Sequence, residues 1–188
     1  MIFLRHCMKF STSLAKPLPC LTRHLNTTRL AMTPIQVGDS IPSVDLFEGA
    51  PNNKVNLADV CQEGKFIIFG VPGAFTPGCS KTHPPGYVAQ SDDLKEKGFK
   101  QIFCVSVNDP FVMAAWGENQ NATGKVTMLA DTCGEFTRSV DLELDLSKVL
   151  GNVRCKRFSI VVENGKAVQV NVEPDGTGLT CSLAENIA

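Results

Sequence analysis

A chain of 188 residues with a formal net charge of −1 is long enough for one compact domain with a proper core. That charge offers no global electrostatic case for binding nucleic acid or a membrane surface. Eight cysteines without a C-x-x-C pair speak against a zinc ribbon, and no secretory signal supports an extracellular disulfide framework.

Basic residues are concentrated at the start. Residues 1–38 contain Arg5, Lys9, Lys16, Arg23 and Arg29 and no acid. Residues 1–31 are also rich in hydroxyls, the composition of a mitochondrial targeting leader, whereas Met1–Leu4 is too short an apolar block for a secretory signal. A disordered basic arm is the competing reading. The expected division is a leader over 1–31 and one folded domain over 32–188. Met32 offers a second start and hence a cytosolic form. Cys7 and Cys20 would leave with the leader. The chain ends Asn186-Ile187-Ala188, which is not a peroxisomal tripeptide of the Ser-Lys-Leu kind. No apolar run reaches the roughly 18 residues a membrane span needs.

Within the domain, Asp45–Phe47 and Lys54–Leu57 read as short strands around a Gly49/Pro51/Asn52 turn, and Asn56 is placed to cap a helical turn through Val60. Lys65–Val71 is an apolar run of buried-strand length. A helix opening near Cys79 meets Pro84 and Pro85 and should kink there, because proline lacks the amide donor and clashes with the preceding turn. It then resumes over Tyr87–Lys97 and stops at Gly98. Gln101–Val107 is the next buried strand. Asp109 can cap a helix over Pro110–Trp116 with proline at its first position. Val126–Leu129 reads as a strand and Gly134–Val140 as a helix. Leu146, Val149 and Leu150 fall at helical spacing. Phe158–Val162 and Ala167–Val172 flank Asn164-Gly165, a strong hairpin signal. Alternation of strands and helices implies an α/β fold, a sheet with helices on both faces.

The chemistry concentrates after the strand at Lys65–Val71. Gly70-Val71-Pro72-Gly73-Ala74-Phe75-Thr76-Pro77-Gly78-Cys79 breaks the backbone twice at Pro/Gly pairs and delivers Cys79 to a helix start. A thiol in such a place meets amide N–H groups and the positive end of the helix dipole, which favour the nucleophilic thiolate. Thr76 supplies a hydroxyl that both donates and accepts, and Pro72 can wall the thiol from bulk water. Cys104 lies in a buried strand and is most simply core. His83 stands four residues from Cys79; with no further ligand in view a metal site has little support, and His83 is expected at the surface.

Pro72-x-x-x-Thr76-x-x-Cys79 resembles the peroxiredoxin active-site pattern, and Pro72-Gly-Ala-Phe-Thr-Pro-Gly-Cys-Ser80 resembles the type-5 peroxiredoxins in particular. The likeness extends through Ser106-Val107-Asn108-Asp109, Lys156-Arg157-Phe158-Ser159 and Asn171 to Leu183. It implies a thioredoxin-like fold, a central mixed β-sheet flanked by helices. It implies a thiol peroxidase that reduces hydrogen peroxide and organic hydroperoxides without metal or other cofactor, with Cys79 as peroxidatic thiol. Arg157 falls where the family's catalytic arginine lies; its charged planar fork of donors suits a thiolate and a peroxide oxygen. Cys181 falls on the resolving cysteine of the atypical two-cysteine class, implying an intrachain disulfide recycled by thioredoxin, in a monomer or homodimer. Cys61, Cys133 and Cys155 have no such context. Pro84 stands where the family usually has an apolar residue, and Leu142–Gly151 is shorter than usual at the pocket rim. Leu146, Val149 and Leu150 fit either an apolar mouth or a helix face packed on the core. The rival reading is a monothiol disulfide oxidoreductase, since Cys79-Ser80-Lys81-Thr82 can pass as a C-x-x-T motif.

Overall fold

The computed structural model describes residues 33–187. The proposed leader, Cys7, Cys20, Met32 and the terminal Ala188 lie outside the described residues.

A seven-stranded mixed sheet forms the centre. In chain order the elements are β1 (Asp45–Glu48), β2 (Lys54–Asn56), α1 (Leu57–Val60), β3 (Lys65–Gly70), α2 (Pro77–Lys81), α3 (His83–Ala89), α4 (Ser91–Glu96) and β4 (Phe99–Ser106). Then follow α5 (Pro110–Asn119), β5 (Thr127–Ala130), α6 (Glu135–Ser139), β6 (Glu143–Asp145), α7 (Ser147–Leu150), β7 (Val153–Cys155), β8 (Phe158–Glu163), β9 (Lys166–Val172) and a 3₁₀ turn, Ala184–Asn186. The strands lie in the order β2-β1-β5-β4-β3-β8-β9. The β5–β4 and β4–β3 pairs are parallel, and the others antiparallel.

The apolar run of β3 follows from its central place, since a strand covered on both faces has no face left for polar residues. Phe66 and Ile68 join one buried cluster with Phe103, Val105, Leu129, Phe158 and Ile160. Ile67 and Phe69 point the other way, into a second cluster with Tyr87, Ile102, Met113, Trp116 and Cys79. Burying each such side chain contributes about 1.5–3 kcal/mol. The site therefore grows out of the second core layer, at the C-terminal end of β3. Gly70 is required there, because a Cβ would collide with the Phe158 ring on the neighbouring strand.

Local signals explain most of the elements. Asn56 accepts from the Ala58 amide at the start of α1, and Asp109 accepts from the amides of Phe111 and Val112 at the start of α5. Asn164 and Gly165 both take positive φ, 50° and 79°, as a tight hairpin turn between β8 and β9 demands.

Two expectations are corrected. The helix after Cys79 does not kink at Pro84 and Pro85; it breaks before them, at Thr82. The prolines occupy the first turn of α3, where missing amide hydrogens cost no helical bond. A second break at Gln90 separates α3 from α4. The short hairpin of β6 and β7 was not anticipated, because three-residue strands carry too little periodicity to be read.

Candidate active site

The loop from Val71 to Thr76 is pinned from three sides. The Val71 carbonyl accepts from the Ser106 hydroxyl and from the Cys155 thiol, each at 3.1 Å. Asn108 Oδ1 accepts from the Ala74 amide at 3.0 Å and lies 2.8 Å from Ser106 Oγ, whose single proton is shared between this oxygen and the Val71 carbonyl. Pro72 is buried within this loop. Phe75 takes a left-handed φ of 60°, a strained place for an aromatic residue, and turns the chain into α2.

Cys79 is the third residue of α2, inside the first turn, whose amides the helix itself leaves without acceptors. It has no exposed surface. Both terminal nitrogens of Arg157 lie 3.4 Å from Cys79 Sγ. Arg157 is itself only 3 % exposed, so it is no surface arginine, and the pair faces each other in a low-dielectric setting where donors act strongly. Thr76 is half-buried, and its hydroxyl donates to the Gly73 carbonyl at 2.9 Å. Its one proton is thus committed, leaving the oxygen's lone pairs to accept.

The guanidinium is held by more than the thiol. Arg157 Nε donates to the Thr177 carbonyl at 3.1 Å, and Nη1 lies 3.3 Å from His83 Nδ1. Its backbone is bracketed by the following turn: the Arg157 amide donates to Gly176 O, and Arg157 O accepts from the Glu173 amide.

His83 was expected at the surface and is instead completely buried. Cys79 and His83 sit on separate helices, yet both meet Arg157. The imidazole packs edge-on against Phe69 and Tyr87, with centroids 5.0 and 5.5 Å away. Burial, reinforced by the Arg157 charge, lowers its pKa to about 4 against the opposing pull of Ser182 and Glu173. The ring is neutral at physiological pH.

Cys181 lies half-buried on an irregular segment ahead of the 3₁₀ turn. This segment is tied down by Glu173, whose Oε1 accepts from the amides of Thr180, Cys181 and Ser182 and from the Ser182 hydroxyl, while Oε2 accepts from the Thr180 hydroxyl. Burial alone would raise the Glu173 pKa, but these hydrogen bonds outweigh it and bring the value down to about 2. Desolvation and the Glu173 charge together raise the Cys181 thiol above its ordinary pKa. Cys79 and Cys181 are both free thiols.

The remaining thiols divide by environment. Burial pushes Cys61 up to about 12 and raises Cys104 and Cys155 as well, so these three stay protonated and poorly nucleophilic. Cys133 is exposed. At the mouth, a Cβ on Gly73 would meet Thr76, Arg154 and Leu150. Leu146 and Leu150 are half-buried and Val149 is 73 % exposed, which favours an apolar rim over a helix face packed into the core.

Among the residues expected to carry chemistry, Cys79 and Arg157 are brought into contact, with Thr76 and Pro72 in the adjoining loop. Sequence reasoning missed His83, Tyr87 and Glu173. The signal for Glu173 was its place at the head of the Asn171–Leu183 motif, and that for His83 was its spacing from Cys79.

Comparisons with known proteins agree with this architecture. A family model described as Redoxin matches residues 36–187. The chain is 43 % identical over 159 residues to Peroxiredoxin-2D of Arabidopsis thaliana, covering 83 % of this chain and 98 % of that protein. Among solved structures it is similar to peroxiredoxin 5 from Alvinella pompejana, at 47 % identity and a TM-score of 0.71, covering 79 % of this chain and 96 % of that one. It is likewise similar to reduced Prx3 in complex with hydrogen peroxide from Vibrio vulnificus, at 39 % identity and a TM-score of 0.75, covering 81 % and 96 %.

Proposed function

Since the chain belongs to the peroxiredoxin family, as a type-5 member and a thiol peroxidase, we propose that Cys79 is the peroxidatic thiol of an atypical two-cysteine cycle. The observation that carries this is the fork of Arg157 spanning Cys79 Sγ inside the protein.

Thiolate Cys79 attacks one peroxide oxygen in line, and the O–O bond breaks as the S–O bond forms. Sulfur loses two electrons and becomes a sulfenic acid. The departing oxygen takes up a proton and leaves as water or alcohol. Arg157 presents fixed donors to the sulfur and to the charge developing on that oxygen, the planar fork serving both at once. Thr76 Oγ accepts from the peroxide's O–H and so orients it, while Pro72 and the pinned loop keep the pocket closed to bulk water. The apolar rim at Leu146, Val149 and Leu150 fits the alkyl part of an organic hydroperoxide.

Cys181 then attacks the sulfenic sulfur, the S–S bond forms and water leaves. A thioredoxin-type dithiol reduces this intrachain disulfide and restores both thiols. Reduced thioredoxin should be consumed when peroxide is added, with Cys79→Ser inactive. Consumption driven equally well by a disulfide substrate without peroxide would favour the oxidoreductase reading instead.

Residues 1–31 act as a mitochondrial leader ahead of a domain over 32–188, on the strength of their basic, acid-free composition. A reporter carrying residues 1–32 should be imported into mitochondria; one that stays cytosolic refutes the targeting assignment and leaves the enzyme untouched.

A further inference from the structure

We infer that His83 is a positioning residue for Arg157, and that through it the peroxide-reducing site is assembled only while the segment Thr180–Ser182 is docked. The inference rests on the peroxidase reading above and deepens it.

His83 Nε2 lies 2.9 Å from the Ser182 carbonyl oxygen. A carbonyl only accepts, so Nε2 carries the ring proton. In the neutral ring Nδ1 is then a bare lone pair, aimed at Arg157 Nη1 3.3 Å away. The imidazole thus acts as a one-residue relay, donating to the C-terminal segment and accepting from the arginine. A protonated ring could not do this, because both nitrogens would be donors and one would face a cation. Burial, which holds the ring neutral, is part of the device.

Apart from the sulfur, the Arg157 guanidinium rests on two partners, Thr177 O and His83 Nδ1. The first belongs to the C-terminal turn, and the second is held in its tautomer by Ser182. Tyr87 Oη donates to the same Ser182 oxygen at 2.8 Å, and Glu173 grips the amides on either side of Cys181. When Cys181 travels to the sulfenic acid, Ser182 moves with it. His83 loses its acceptor, the tautomer is no longer fixed, and Arg157 loses its alignment.

The test compares His83→Gln, which retains one donor and one acceptor, with His83→Leu, which retains neither. The rate of peroxide reduction is followed by rapid mixing, alkylation of Cys181 in the reduced protein by mass spectrometry, and Tm by calorimetry. His83→Leu should slow peroxide reduction by about tenfold, the scale of one lost hydrogen bond, and speed Cys181 alkylation; His83→Gln should recover most of both. Equal rates in wild type and both variants, or equal losses in both that track Tm, overturn the inference. Tyr87→Phe supplies an independent arm, since it loosens Ser182 without touching Arg157. It should raise Cys181 alkylation and slow peroxide reduction together, and a freed Cys181 with an unchanged peroxide rate overturns the relay. Arg157→Lys separates the two claims: if it leaves the rate intact, the arginine's part in the peroxidase fails; if it slows the rate while His83→Leu does not, only the relay fails.

Discussion

The carboxylate of Glu173 accepts a 3.0 Å hydrogen bond from the Cys181 amide, so the candidate resolving cysteine is held by its own backbone. Flanking bonds to Thr180 and Ser182 make this a clasp, and its consequence is that Cys181 cannot move unless the clasp opens. Glu173→Gln removes the charge from the clasp and replaces one of its two acceptor oxygens by an N–H₂ donor. Cys181 in the reduced protein should then be alkylated about tenfold faster or more, the loss of at least one charge-assisted bond. An unchanged alkylation rate would show that the segment is held elsewhere.

The same carboxylate sets a pH dependence. Its folded pKa is depressed to about 2 from the ordinary 4.5, so its contribution to stability is fully present above pH 4.5 and is lost as pH falls from there toward 2. Thermal unfolding followed over that window should decline more steeply in wild type than in Glu173→Gln, which keeps only the shares of other depressed carboxylates such as Asp145 and Asp175. Parallel curves for the two proteins would remove Glu173 as the source.

His83 acts in a higher window. Its folded pKa of about 4 lies below the ordinary 6.5, so between these values the unfolded chain binds the proton and the folded one does not. Stability is therefore greatest above pH 6.5 and falls as pH drops toward 4, by about 2 kcal/mol between pH 7 and pH 5. The charged or titratable groups facing the ring are Arg157, Tyr87 and Glu173. Burial raises Tyr87 and hydrogen bonds lower Glu173 to about 2, so neither changes charge in the folded protein between pH 5 and pH 7. Urea midpoints at pH 5 and pH 7 should converge in His83→Gln; an undiminished pH dependence in that variant would mean that the ring is already charged in the fold.

Arg157→Lys replaces a fork by a point charge. Losing one preorganised donor to a developing oxyanion costs about 100-fold or more in rate, and a lysine cannot span sulfur, Thr177 O and His83 together. Stopped-flow peroxide reduction should fall by that order. Near-native turnover would assign the fork a purely structural part.

Much of this was legible in the chain. The continuous apolar run of β3 announced a doubly covered strand, Asp109-Pro110 announced α5, and Asn164-Gly165 announced the last hairpin. Cys79, with Thr76 and Pro72 beside it, stood out at a broken backbone ahead of a helix start, whereas Arg157 was reached only through the resemblance of Lys156-Arg157-Phe158-Ser159 to the family's pattern. His83 could not be placed, since its burial depends on Phe69, Tyr87 and Ser182, two of them distant in sequence. The helix break was misplaced because a proline pair looks the same in mid-helix and in a first turn; which of the two it is depends on where the preceding turn ends. Glu173 sat in view within a motif, but a carboxylate that clasps amides seven to nine residues onward follows no helix or strand periodicity.

The two-cysteine cycle is tested most directly by treating the reduced protein with one equivalent of peroxide and mapping disulfides in non-reduced peptides by mass spectrometry. The account predicts a Cys79–Cys181 link within one chain, accompanied by a change in the fluorescence of Trp116, whose indole N–H donates to Ser80 beside Cys79 at 3.1 Å. A link between chains, or a lasting Cys79 sulfenic acid with Cys181 still free, would contradict it.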